Sequence, residues 1–225
     1  MLRKIGFWSL ALVLLLLFLF HFYNWNKGKS ADNISFTGPA AFLAAAEGDT
    51  WQLEWLLREG GVDPDKLETV VFGDWPEKTT LLIIAIGYRQ FGSIDLLLDY
   101  QADPNLTDDK GYVALDYAAM LDKSGDITKF LLERGKANGI DPNHREIRSG
   151  MTPLLNAALL SNYKAAELLL EAGADPNAEA TNGVTPLAYA KQKPYPELIE
   201  LLKRYGAKEE AKAEPEAMAE TKAKE

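Results

Sequence analysis

Apolar residues along the chain fall into two regimes. From Ile5 to Tyr23 they run almost unbroken around "LALVLLLLFLF", and no Asp, Glu, Lys or Arg occurs from Ile5 to Asn26. Further on they come in short pulses of helical length separated by Gly, Asp-Pro and Asn. The stretch "GMTPLLNAALL", Gly150 to Leu160, is one such pulse. The Thr152 hydroxyl can cap a helix, and Pro153 suits its first position, where no backbone donor is needed. Leu154, Ala157 and Ala158 then share one helical face. The next pulse turns Leu168, Leu169 and Leu170 inward and stops at Gly173, a residue able to take the left-handed conformation at a helix end. Asp175-Pro176 then imposes an extended residue. The pattern predicts a unit of helix, turn, helix and finger-like loop.

This unit recurs. Thr152-Pro153-Leu154 returns 33 residues later as Thr185-Pro186-Leu187, and earlier copies begin at Thr80-Leu81-Leu82 and Val113-Ala114-Leu115. The second pulse, "AELLLEAGADPN", has counterparts in "IDLLLDYQADPN", "TKFLLERGKANGIDPN", "LEWLLREGGVDPD" and a shortened "LIELLKRYGA". In these residues the chain resembles the ankyrin repeat family. That resemblance implies an all-α solenoid of about five helix-turn-helix units over residues 36–207, divided at about 36–78, 79–111, 112–150, 151–183 and 184–207. The departures are specific. The motif's His is replaced by Ile83, Asp116, Leu155 and Ala188, and only two copies keep Thr-Pro. The third copy carries six extra residues, around Lys123-Ser124 and in "KANGID". A single unit cannot bury both of its helices, so stability must come from stacking, with polar outer faces on the end units. Glu197, Glu200, Lys203 and Arg204 give the last unit such a face.

The first regime changes the cellular picture. The 19 residues from Ile5 to Tyr23 would form a helix of about 28 Å, close to the roughly 30 Å of a bilayer's hydrocarbon core. Phe7 and Trp8 sit at one end, and Phe20, Phe22, Tyr23 and Trp25 at the other, as interfacial belts do. Residues 1–26 are therefore expected to be a transmembrane signal anchor and 27–35 a linker, with 208–225 a charged tail. A cleaved signal peptide is the alternative, although only Gly28-Lys29-Ser30 offers a cut site. Arg3 and Lys4 are balanced by Lys27 and Lys29. The short basic tail before the apolar run favours a cytoplasmic N-terminus, with the array on the periplasmic side of a bacterial inner membrane.

Charge and composition narrow the chemistry. Removing Arg3, Lys4, Lys27, Lys29 and Asp32 from totals of 24 basic and 33 acidic residues leaves 20 and 32 from position 33 onward, a net of −12. Nucleic acid is a poor ligand for such a body, since it binds through Lys and Arg. There is no cysteine, the only histidines are His21 and His144, and no Gly-rich phosphate loop occurs. Asp108-Asp109 lies where charge ordinarily meets solvent. No enzymatic activity, cofactor or metal is expected, because no activated group has an orienting partner.

What remains is binding another protein. The resemblance implies a concave surface made of first helices and loop tips. The positions after the paired alanines of the first helices supply Tyr88, Met120, Leu121, Leu159 and Leu160 as candidate contacts. Either this apolar strip docks a partner, or inserted residues and the tail cover it. The long first loop, "KLETVVFGDWPEKT", adds Phe72 and Trp75, as anchors or as a folded-back cap. Proteins of this layout resemble immunity proteins that neutralise a toxin or scaffolds for envelope enzymes. A structural spacer in a membrane complex, with no discrete ligand site, is the other reading.

Overall fold

The computed structural model describes residues 36–37, 39–72, 75–192 and 195–209. The apolar segment at 5–23, its linker to residue 35, Lys193 and the tail from 210 lie outside the described residues. Among the described residues, no helix is long and apolar enough to cross a membrane.

Among the described residues, ten α-helices form five antiparallel pairs: α1 (Ala40–Glu47) with α2 (Thr50–Arg58), α3 (Leu81–Gly87) with α4 (Phe91–Asp99), α5 (Ala114–Leu121) with α6 (Asp126–Arg134), α7 (Pro153–Leu159) with α8 (Tyr163–Glu171), and α9 (Pro186–Gln192) with α10 (Pro196–Arg204). Successive first helices pack against one another more closely than successive second helices, so the first helices line the inside of the curve. The repeat period explains that packing. Leu82, Leu115, Leu154 and Leu187 are buried at one register. Ala85, Ala118, Ala157 and Ala190 are wholly buried a turn later, where a larger side chain would hold the helices apart.

Starts and stops follow the capping logic. The hydroxyls of Thr80, Thr152 and Thr185 accept the amides of Ile83, Leu155 and Ala188 at 3.1, 3.2 and 3.2 Å. Val113 has no such oxygen, and its own amide is instead accepted by Asp116 at 3.0 Å. Gly173 ends the second helix of its repeat in the left-handed region (φ 92°), and Gln101 takes the same conformation (φ 63°) at the matching position. Leu169 and Leu170 are buried as the pattern predicts, but Leu168 is only half-buried, because its register faces out along the row of second helices.

The all-α expectation needs correcting in the first finger. Glu68–Phe72 (β2) and Trp75–Thr79 (β3) form an antiparallel hairpin, and Phe36–Thr37 (β1) pairs with β2. Val70 points inward and is wholly buried. Pro76 disguised the second strand in the sequence, since proline sits badly in a central strand; here it lies in β3, at the end of the sheet order.

The Asp-Pro-Asn loops are clamps between repeats. In each copy a first Asp accepts the amide two residues on, from Asp63, Asp103, Asp141 and Asp175. The Asn that follows then bridges to the next repeat: Asn105, Asn143 and Asn177 accept the amides of Asp141, Asp175 and Lys208, each at 2.8 Å. Their amide groups donate to the carbonyls of Gly139, Gly173 and Gly206. The first copy has Asp65 instead. It accepts the Asp103 amide at 2.7 Å but has nothing to donate, and burial, with the charges of Asp103 and Asp63, pushes its carboxyl up. Asp65→Asn should restore the missing donor toward Gln101, whose backbone matches Gly139, Gly173 and Gly206. The expected gain is about 0.5–1 kcal/mol, read by urea denaturation at neutral pH; no gain would show that this clamp differs from the others.

Candidate docking surface

The finger tips stack in sequence, each on its neighbour. β3 meets the second tip through the Asp109 amide on the Lys78 carbonyl (3.1 Å) and the Lys110–Glu77 ion pair (2.5 Å). The second tip meets the third where the His144 ring nitrogen lies 3.2 Å from the Gly111 carbonyl. The third meets the fourth through the Thr181 amide on the Ser149 carbonyl (2.8 Å). Gly150 makes this closeness possible: at φ 67°, a β-carbon there would lie 2.9 Å from the Thr181 amide.

Two tips are stapled from inside by carboxylates. Asp108 is buried, not solvated as its sequence context suggested. It accepts the Tyr117 hydroxyl at 2.6 Å and the amides of Lys110 and Tyr112 at 2.9 Å each. Glu146 accepts the amides of Arg148 and Ser149 at 2.7 and 2.6 Å, together with the Ser149 hydroxyl. Burial alone would push Glu146 up, but these hydrogen bonds hold it below its usual range. Between Arg145 and Arg148, the stapled third tip carries Ile147 with 90% of its surface exposed. Holding an apolar side chain that far into water has no packing benefit.

The predicted contact residues do not form one strip. Met120 is 5% exposed and belongs to the interior of the stack, a correction to its place on the surface. Tyr88, Leu121 and Leu160 are half-buried against the main core, at the turns joining first to second helices. Burial pushes the Tyr88 phenol up to about 12. Those turns are tied together by Arg89, which donates to the buried Asp122 at 2.7 Å, and by the inserted Lys123, whose amine reaches the Leu160 carbonyl at 2.5 Å. The second insertion forms a short 3-10 helix, Gly135–Asn138, and Asn138 caps the carbonyls of Leu98 and Ala102. Leu159 faces elsewhere, packing on Met151, Leu155 and Ala180 beside Tyr189. Phe72 and Trp75 are paired across the hairpin end; their side chains lie outside the described residues.

Two features escaped the sequence reading. Ile147 is the lone apolar residue in "HREIRSG", and its Arg neighbours could have marked it. Trp51 and Trp55 are 77% and 51% exposed on α2; their four-residue spacing, offset from the buried pair Leu53 and Leu57, places them together on the outer side. Among the described residues, no group of three or more His, Asp and Glu is placed to hold a metal ion.

Comparison with known proteins agrees with this architecture. A family described as ankyrin repeats (3 copies) matches residues 41–146 and 136–213. The chain is 37% identical over 45% of its length to the human "SH3 and multiple ankyrin repeat domains protein 2". It is 35% identical over 61% to a "Putative ankyrin repeat protein" of Rickettsia felis, and 31% identical over 68% to the "Mitochondrial disaggregase" of Bos taurus. It spans only 5%, 42% and 21% of those relatives' lengths. That family model covers more than half of the chain, over the same residues that build the paired helices and the bridging Asp-Pro-Asn loops, and the chain belongs to the ankyrin repeat family.

Proposed function

We propose that the chain is a membrane-tethered protein-binding module. Residues 5–23 are its anchor, and the array stands on the periplasmic side of a bacterial inner membrane. Ankyrin repeats are generally protein-protein interaction modules, which sets the class of function. The observation that carries the reading here is the third finger tip: a buried carboxylate fixes the loop, its neighbours brace it, and Ile147 is held out between two arginines. A contact surface ordered before binding loses little entropy on docking. The fitting partner offers an apolar pocket rimmed by carboxylates, and the inner-row residues Leu159 and Tyr189 extend the contact beside the tip. A toxin neutralised by the array and an envelope enzyme held by it are both partners of this kind.

The test is affinity purification of the full chain from solubilised membranes, with crosslinking, as wild type, Ile147→Asp and Arg148→Glu. Wild type should carry a partner in fixed proportion and both variants should lose it, with unchanged thermal unfolding. An identical set of proteins on all three would favour a structural spacer and sink the docking surface. A reporter fused after Glu225 should be active only on the periplasmic side; cytoplasmic activity would overturn the orientation.

A further inference from the structure

The outer side of α2 presents Trp51 and Trp55, one helical turn apart, on the first repeat of the array. The fold does not require them. Aligning the buried pair Leu53 and Leu57 with Ile94 and Leu98, Thr128 and Leu132, Ala166 and Leu170, and Leu198 and Leu202 puts Gly92, Asp126, Lys164 and Pro196 in the register of Trp51. In the same alignment Leu96, Phe130, Leu168 and Glu200 match Trp55, and the first three are only half-buried. An end repeat is the place where polar outer residues are needed for solubility, yet here it carries two of the chain's five tryptophans.

Position along the chain indicates what meets them. The apolar segment ends at Tyr23, and β1 begins at Phe36. Those 13 steps of chain reach at most about 45 Å when fully extended. The first repeat is therefore the one that a membrane anchor would hold nearest to the bilayer, at a high effective concentration. Indole rings favour the water-lipid boundary, where the ring body is shielded and its N–H stays wet. The charges beside the pair are Glu54, Arg58 and Glu59, with Arg58 bonded to Glu59 at 3.0 Å. With no surplus of cations, this face suits zwitterionic rather than anionic headgroups.

We infer that Trp51 and Trp55 insert into the headgroup region of the membrane that holds the anchor. The first repeat then lies against the bilayer, and the later finger tips project away from it. This rests on the anchor reading above, so the experiment reads the two separately. Full-length chain is reconstituted into phosphatidylcholine vesicles, with or without bromine near the headgroup end of the acyl chains. One variant keeps only Trp51 and Trp55, with Trp8, Trp25 and Trp75 changed to Phe; a second keeps only Trp8.

Bromine should quench both variants, and the emission of the Trp51 and Trp55 variant should be blue-shifted relative to the same chain in urea. Quenching of Trp8 alone overturns the inference and leaves the anchor standing. Quenching of neither sinks both. A blue shift of the Trp51 and Trp55 variant in native membranes without quenching in vesicles would assign the face to a protein and overturn the lipid contact. As a check free of the multiple substitutions, Trp51→Gln with Trp55→Gln in the otherwise wild-type chain should reduce the bromine-sensitive fraction of emission; an unchanged fraction counts against the contact.

Discussion

Leu154→Ala should lower the stability of the array by about 3 kcal/mol, within the roughly 2–5 kcal/mol range for emptying a leucine-sized volume in a closed core. Leu154 is wholly buried on α7, and this helix packs against both α5 and α9. In a stack, each repeat is stabilised by its neighbours, so a cavity in the fourth pair weakens two interfaces at once. Leu202→Ala, buried at the end of α10, loosens only the last pair and should act mainly on the late part of the unfolding transition. Urea denaturation followed by circular dichroism measures both. A loss below about 1 kcal/mol for Leu154→Ala would mean that the stack collapses onto the vacated space. A broadened transition in that variant would mean that the array has split into separately melting halves.

The contrast between Leu154 and its neighbours shows how far the sequence could be read. Leucines and alanines recurring at a fixed interval can only be the shared seam of stacked units, so the helix pairs and their caps were legible. The hairpin was not, because it occurs once and has Pro76 in its second strand. Asp108 misled as well. A carboxylate among turn residues reads as solvated, and only the folded loop, which brings the Lys110 and Tyr112 amides and the Tyr117 hydroxyl onto Asp108, takes it out of water. Met120 follows the helical period, but the last turn of α5 is overlaid by the neighbouring repeats. Ile147 and Trp51 lie outside the period altogether. Residues that neither pack nor cap stand out only after the packing residues have been accounted for.

Asp116 should make the array less stable as pH rises from about 4 to 7, the opposite of the usual behaviour of a paired carboxylate. It occupies the position where the family motif has His, and its side chain is wholly buried. Burial pushes its carboxyl up to about 7, against the opposing effect of hydrogen bonds from the Val113 amide (3.0 Å) and Asn156 (2.8 Å); the charges of Asp108 and Glu146 push it further up. In the unfolded chain Asp116 loses its proton near its ordinary value of 3.8. Between the two values the folded state holds more protons, so its advantage is complete below the lower value and drains away as pH climbs through the upper one. At roughly 1.4 kcal/mol per pH unit the total is at most about 4 kcal/mol. Asp122 and Glu146, both held low by hydrogen bonds that outweigh burial, act with the other sign, and their contribution disappears only as pH falls below about 4. Stability should therefore peak at mildly acid pH. Asp116→Asn keeps the shape and can still accept the Val113 amide, while Asn156 turns its amide to present oxygen to the new donor. This variant should retain the acid limb of the curve and lose most of the decline toward neutrality, leaving the part that comes from Asp65 and Asp108, whose carboxyls burial also pushes up, so that it overtakes the wild type at pH 7.5. Urea midpoints at pH 5 and 7.5 decide the matter: a wild type equally stable at both would mean that Asp116 stays charged in the core, compensated by Asn156 and the Val113 amide alone.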